Sequence, residues 1–303
     1  MIEETRRTRV RRYEYVLLDV FTHNALQGNQ LAVFTDARGL SDAEMQALAN
    51  ETNLCETTFI LPRQAEVECD EGVRVRIFTV KEEMQFAGHP TLGTAWVLRK
   101  QRGVDLVELA LNVGKVPVHF GADAQGCMIG EMRQRDPEFG EFFHADDVAR
   151  ATGVPLDFID ASLPIQTVST GTPFTIVALK SLAAMHDLRV DQKSASAFTR
   201  AHDSKFFYFV SRETETPGVT LHARMQFYGG EDPATGSAAG CCTGWAVQHG
   251  VLASGEHAWI EQGMEIGRPS FLQICGQKAG DGVINVRVGG GVVELARGEF
   301  VLR

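Results

Sequence analysis

The chain has 303 residues, 44% of them hydrophobic and 22% charged, with a net charge of −10. At roughly 150 residues per domain this is length for two domains and for an apolar core that needs no metal or disulfide staple. The composition excludes collagen-like, coiled-coil and disordered classes, and the acidic balance argues against a dedicated nucleic-acid binder.

The first twelve residues carry Arg6, Arg7, Arg9, Arg11 and Arg12 against two glutamates, a local +3, and no apolar run follows as in a signal peptide. They read as a solvated basic extension. The longest nearly uninterrupted apolar stretch, Ser237 to Val247, is short of the roughly 20 residues that span a bilayer, so a soluble cytoplasmic protein is expected. Cys55, Cys69, Cys127, Cys241, Cys242 and Cys275 form no CxxC pair and no Cys/His cluster, so free thiols and no metal site are expected.

Tyr13 to Val20, Leu31 to Thr35, Thr57 to Leu61 and Val73 to Val80 are short β-rich runs. Ser41 and Glu44 form a capping box, and Met45, Leu48 and Ala49 then recur at helical spacing. A second helix is expected from Pro90, apolar on almost every side until Arg99 and Lys100. Strand signals return at Val116 to Phe120, Thr175 to Leu179, Phe206 to Val210 and Val219 to Phe227, with amphipathic helices near 145–152 and 180–188. Another unusually apolar helix, rich in small residues, is expected from Pro233, and further strands run from Ala258 onward. Small residues on all faces imply that sheet backbone approaches this helix closely.

The two buried helices share a start. His89-Pro90-Thr91-Leu92-Gly93-Thr94-Ala95 aligns with Asp232-Pro233-Ala234-Thr235-Gly236-Ser237-Ala238, a separation of 143 residues (89 to 232). With the matching strand context, this suggests two similarly built halves, each a sheet wrapped around one central helix, with the helix N-termini free to face one another. Facing N-termini present unpaired N–H groups and partial positive charge, a natural carboxylate site. Taken singly, Asp232-Pro233 reads as an ordinary cap and His89 as a packed residue. Glu56, where a capped helix gives way to a strand, is either a surface glutamate or a partly buried carboxyl with a raised pKa, suited to proton transfer.

Several strings together resemble the phenazine-biosynthesis PhzF-like family, which shares the diaminopimelate-epimerase fold. They are Asp19 to Thr22 with Gly28-Asn29, Asn53 to Phe59, Arg76 to Thr79, Phe86 to Gly93, Glu231 to Ala238 and Gln262 to Ser270, in family order. The resemblance implies an α+β fold of two pseudo-symmetric barrel-like halves, each a mostly antiparallel sheet around a central helix, with the active site between them. The halves would be 13–118 plus about 288–303, and 119–287, after a basic extension over 1–12. It further implies a cofactor-independent, homodimeric isomerase acting on a small carboxylate such as trans-2,3-dihydro-3-hydroxyanthranilate. Glu56 would be the general acid/base, with His89, Asp232 and Ser237 as its polar partners. Amides at Gly88, Gly236 and Ser237 would hold the substrate carboxylate. Two departures stand out: Cys55 where serine is usual, and Thr79-Val80-Lys81 for the usual Thr-Pro, which could reshape a loop near the cleft.

The fold's racemases use two opposed thiols, and neither helix-start string holds a cysteine, so two-thiol chemistry is not expected and Cys241 and Cys242 read as inert. The rival is a non-catalytic carboxylate binder using the same cleft. A hydrolase is disfavoured because Gly236-Ser237-Ala238-Ala239-Gly240 lacks a nucleophile-elbow order, and Gly289-Gly290-Gly291 reads as a turn or bulge, not a nucleotide loop.

Overall fold

The structure is a computed structural model that describes residues 10–227 and 230–303. The first half runs β1 (Arg11–Val20), β2 (Asn29–Phe34), α1 (Asp42–Thr52), β3 (Thr57–Leu61), α2 (Ala65–Glu71), β4 (Val73–Phe78), β5 (Glu83–Met84), α3 (Gly88–Arg102), β6 (Leu106–Leu111) and β7 (Gly114–Ala122). The chain continues through β8 (Met128–Arg133), β9 (Glu138–Phe143), α4 (Ala145–Thr152), β10 (Ile165–Ser169), β11 (Pro173–Ala178), α5 (Leu182–His186), α6 (Gln192–Ala201) and β12 (Phe206–Ser211). Last come β13 (Leu221–Arg224), β14 (Gln226–Phe227), β15 (Gly230–Glu231), α7 (Gly236–Gln248), β16 (Ala258–Gln262), β17 (Ser270–Ala279), β18 (Gly282–Gly290) and β19 (Val292–Leu302).

Local chemistry accounts for the boundaries. The Ser41 hydroxyl accepts the Glu44 N–H while the Glu44 carboxylate accepts the Ser41 N–H, which satisfies two orphan donors at the start of α1. Asn53 ends that helix in the left-handed conformation and turns the chain toward β3. Helix α3 ends at Gly103, also left-handed, with Arg99, Lys100 and Arg102 in its last turn to complement the helix dipole.

The pairing runs continuously through both halves. β1 lies between β2 and β19, and the order continues through β3, β4, β6 and β7 to β8. β8 also pairs with β18, which leads through β17, β16, β13, β12, β11 and β10 to β9. Helix α3 packs on β1, β2, β3, β6, β8 and β19, and α7 on β10, β11, β17 and β18. Both helices are buried along most of their length. The small residues of α7 are required: a Cβ on Gly240 would lie 1.9 Å from Gln134 Oε1, and one on Gly244 2.8 Å from the Pro137 ring. A glycine run serves the sheet similarly, since a Cβ on Gly289 would lie 2.5 Å from the Gly130 carbonyl. Among the described residues no helix is long and apolar enough to cross a membrane.

Several expectations shift. β1 begins at Arg11, two residues before the expected start, because Arg11 and Arg12 pair with Leu302 and Val301 and bind Glu44 and Glu299. The rest of the basic extension, Arg6, Arg7 and Arg9, lies outside the described residues. The boundaries expected at 118 and 287 fall inside β7 and β18, and β8 joins these two strands. The run from Val219 to Phe227 divides into β13 and β14 around Met225, whose carbonyl accepts the Asp232 N–H. The final strand, β19, pairs antiparallel with β1 from Arg11 to Val20.

One glycine anchors the segment before α7. Gly263 has φ 81°, and a Cβ there would lie 2.5 Å from the Arg268 carbonyl oxygen and 2.7 Å from that of Pro233. Gly103 has φ 67° with nothing within 4 Å. Gly103→Ala should therefore cost about 1 kcal/mol from backbone conformation alone, and Gly263→Ala about 3 kcal/mol through the added clash. Urea melts of both variants check this, and equal losses would remove the contact as the cause.

Candidate active site

The two central helices meet end to end. α3 starts at Gly88 with Ala87 as N-cap, α7 at Gly236 with Thr235 as N-cap, and neither N-cap side chain bonds its helix amides. A Cβ on Gly88 would lie 3.2 Å from the Gly236 Cα and 3.5 Å from the Ser237 nitrogen, so only glycine permits this approach without displacement. The Gly236 carbonyl accepts a 2.8 Å bond from Gln134 Nε2, which fixes the start of α7.

This geometry corrects the expected helix starts. Pro90 is the third residue of α3, where its missing N–H costs no helical bond, and Pro233 precedes α7 by three residues. The facing pairs are Gly88-His89 and Gly236-Ser237, separated by 148 residues (88 to 236), so the seven-residue match is five residues out of structural register. Asp232 is not a cap. Its Oδ1 accepts from Asn29 Nδ2 at 2.8 Å and its Oδ2 from the Thr235 hydroxyl at 2.7 Å.

Glu56 and His89 come together beside these helix starts. Glu56 Oε2 lies 3.5 Å from His89 Nε2, with side-chain exposures of 17% and 6%. Neither atom has a hydrogen-bond partner among the described residues. Burial, reinforced by the nearby Asp232 charge and opposed by Lys205, pushes the Glu56 carboxyl up to about 8. Burial likewise lowers His89 to about 3, against a hydrogen bond with the Gln30 backbone. Near neutral pH the pair is therefore a carboxylic acid facing a neutral imidazole. Asp232 is raised to about 6, chiefly by burial, with the Thr235, Ala234 and Asn29 bonds working the other way. Its charge acts on both Glu56 and Cys55. Glu56, His89, Asp232, Gly88, Gly236 and Ser237 thus occupy one region.

Supporting residues were visible in the sequence only as members of strings. Asn29 also donates to the Ala234 carbonyl at 3.0 Å. Gln262, fully buried, donates to the Asp232 carbonyl and the Thr235 hydroxyl and accepts from the Tyr208 hydroxyl and the Thr235 N–H. Arg268 reaches Asp19 at 2.6 Å and the Gly28 carbonyl at 2.9 Å, tying the turn after β16 to the end of β1. The Thr79 hydroxyl accepts the Lys81 and Glu82 N–H groups, so the departure at Thr79-Val80-Lys81 shapes a turn that leads into a cavity wall at Glu82 and Glu83. Cys241 and Cys242 are buried along α7 with their thiols pushed up by desolvation, and all six cysteines are unpaired. His23, Asp123 and Cys127 each bring one potential metal-ligand atom within 4.8 Å of the others, a grouping their sequence spacing hides. None of the site residues belongs to it.

This α+β fold, with two helix starts in contact beside a buried carboxyl, is shared by proteins named as isomerases and epimerases. The model of the phenazine biosynthesis-like protein family matches residues 18–298, and the chain belongs to that family. A trans-2,3-dihydro-3-hydroxyanthranilate isomerase of Pseudomonas chlororaphis is 34% identical over 294 residues, covering 96% of this chain and 100% of the relative. Among solved structures, a predicted epimerase from Pseudomonas aeruginosa is 35% identical with a TM-score of 0.79, covering 95% of this chain and 99% of that one. A Bacillus anthracis phenazine biosynthesis protein of the PhzF family superposes with a TM-score of 0.87 at 24% identity, covering 96% and 100%. A hydroxyproline epimerase from Agrobacterium vitis shares the fold at a TM-score of 0.63 and 10% identity.

A raised carboxyl has a stability signature of definite sign. Folding favours the protonated form of Glu56, so wild-type stability falls as pH rises from the unfolded value near 4.5 to the folded value near 8, and is then level. Glu56→Gln removes this penalty. The variant should gain on wild type by on the order of a few kcal/mol between pH 5 and 9, read by urea melts at both pH values. A difference that does not change with pH would mean that Glu56 titrates normally.

Proposed function

We propose that the protein is a cofactor-independent isomerase that moves a proton within a small carboxylate, an amino or hydroxy acid resembling trans-2,3-dihydro-3-hydroxyanthranilate. The observation that carries this reading is Glu56 Oε2, buried, without a hydrogen bond, and 3.5 Å from an equally unpartnered His89 Nε2 at the meeting of two uncapped helices.

A carboxyl with a pKa near 8 gives up or takes a proton at little cost near neutral pH. In the proposed cycle the ionised Glu56 accepts a proton from one carbon of the substrate, and the resulting acid returns it to another. No proton is gained or lost over a turnover. The N–H groups at Gly88, Gly236 and Ser237 hold the substrate carboxylate, and that charge in turn compensates the two positive helix ends. His89 and Asp232 orient the substrate amino or hydroxyl group. Asp232 is held for this by Asn29 and Thr235. Positioning and one acid/base group together account for many decades of rate.

The test is solvent-isotope exchange. Incubated in heavy water with trans-2,3-dihydro-3-hydroxyanthranilate and a panel of related amino and hydroxy acids, the wild type should place deuterium on a substrate carbon. Glu56→Gln should slow this by about 10²–10⁴-fold, the usual contribution of a general acid/base. Undiminished exchange in Glu56→Gln would remove Glu56 from the mechanism. Tight binding of a panel member without any exchange would identify a carboxylate-binding protein instead.

A further inference from the structure

A cavity of about 660 Å³ opens beside the start of α7, with Ser237 in its wall. Its volume lies in the range of about 300–1,000 Å³ that houses ligands larger than one small ring. Seven charged side chains line it, the cations Lys115, Arg133, Arg135 and Lys205 and the acids Glu82, Glu83 and Asp136. Most are already paired: Glu83 with Arg76, Arg133 with Asp136 at 3.3 Å, and Lys115 with Glu108 at 2.8 Å. Arg135 and Lys205 form no ion pair among the described residues, and Glu82 is the one acid of the lining without a cation. The unpaired groups sum to one positive charge, in a chain whose net charge is −10.

The placement of these cations is tied to the catalytic region. Arg135 follows Gln134, whose side chain turns inward to bind the Gly236 carbonyl at 2.8 Å and accepts from Thr170, another lining residue, at 2.7 Å. Lys205 precedes β12, its N–H held by the Pro173 carbonyl, and its charge reaches Glu56. A substrate whose first carboxylate sits on the helix amides therefore extends into a cavity that carries two unneutralised cations.

We propose that the substrate of this enzyme carries a second carboxylate, bound in the cavity by Arg135 and Lys205. The inference rests on the isomerase reading above for the position of the first carboxylate. One excess positive charge matches one added carboxylate; a phosphate monoester, with a charge of about −1.5 to −2, would leave the Glu82 side of the cavity repulsive. Arg135 supplies a planar fork suited to a carboxylate, and Lys205 a point charge.

The experiment measures binding, so it is independent of turnover. Calorimetric titration of the full chain compares 2-aminobenzoate with 2-aminoterephthalate, which adds one carboxylate to the same ring. Wild-type protein should favour the dicarboxylate by about tenfold or more, the worth of one charge-assisted bond. Arg135→Ala with Lys205→Ala should bring the ratio close to one, and Arg135→Lys should restore part of it. A ratio near one in wild type, or a preference that survives the double substitution, overturns the proposal. If the preference is present but deuterium exchange is absent, the second carboxylate site stands and the isomerase reading fails.

Discussion

The contact between Gly88 and Gly236 is the constraint on which the site depends. Each helix start carries roughly half a positive charge and several unpaired N–H groups, and bringing two of them into backbone contact is unfavourable unless an anion lies between. The protein does not supply that anion from its own caps, because Ala87 has no polar side chain and the Thr235 hydroxyl is given to Asp232. The contact is nonetheless enforced. Both helices are packed in sheets joined through β8 and β18, Gln134 holds the Gly236 carbonyl, and Arg268 clamps Asp19 and Gly28. Two helix starts with unpaired N–H groups facing one region are the consequence, and they are set by the fold rather than by surface charge.

Glu56 and His89 answer the same constraint differently. Had both been charged, a buried ion pair would have formed and its desolvation would have had to be repaid by fixed hydrogen bonds, leaving little capacity for a substrate. Burial instead makes both neutral, and the 3.5 Å gap leaves Oε2 and Nε2 unspent. The left-handed Asn53 is what places the carboxyl there, because it ends α1 abruptly and lets β3 begin one residue after Glu56.

Much of this was legible in the sequence, for identifiable reasons. The capping box fixed the start of α1, and the apolar character of two helices predicted that they are central. What periodicity could not give was register. Proline is favoured near helix starts but not at one position only, so His89-Pro90 and Asp232-Pro233 looked equivalent while one lies inside its helix and the other outside. Asn29, Gln262 and Gln134 could not be assigned roles either, since each acts across at least 27 residues of chain. Arg135 and Lys205 had no local signal at all; an unpaired cation is defined only by what surrounds it.

The same physics sorts the acids of the second half into two kinds. Arg224 binds Glu231 through two bonds at 2.8 and 2.7 Å, and its guanidinium also donates to the Met185 carbonyl. His222 lies between Glu261 and Glu265 at 2.9 Å each; burial pulls its pKa down, but the two carboxylates raise it to about 9. These carboxylates have cationic partners and act structurally, holding the ends of β13 and β16 and the Glu231 backbone next to Asp232. Asp232 and Glu56 are also largely enclosed but have no bonded cation among the described residues, so their pKa values rise instead. A buried carboxyl without a cationic partner is shifted toward its protonated form, whereas one with such a partner serves as a brace. In this chain the two kinds are adjacent in sequence, at Glu231 and Asp232, so the ion pair that fixes one residue also fixes the geometry of the next.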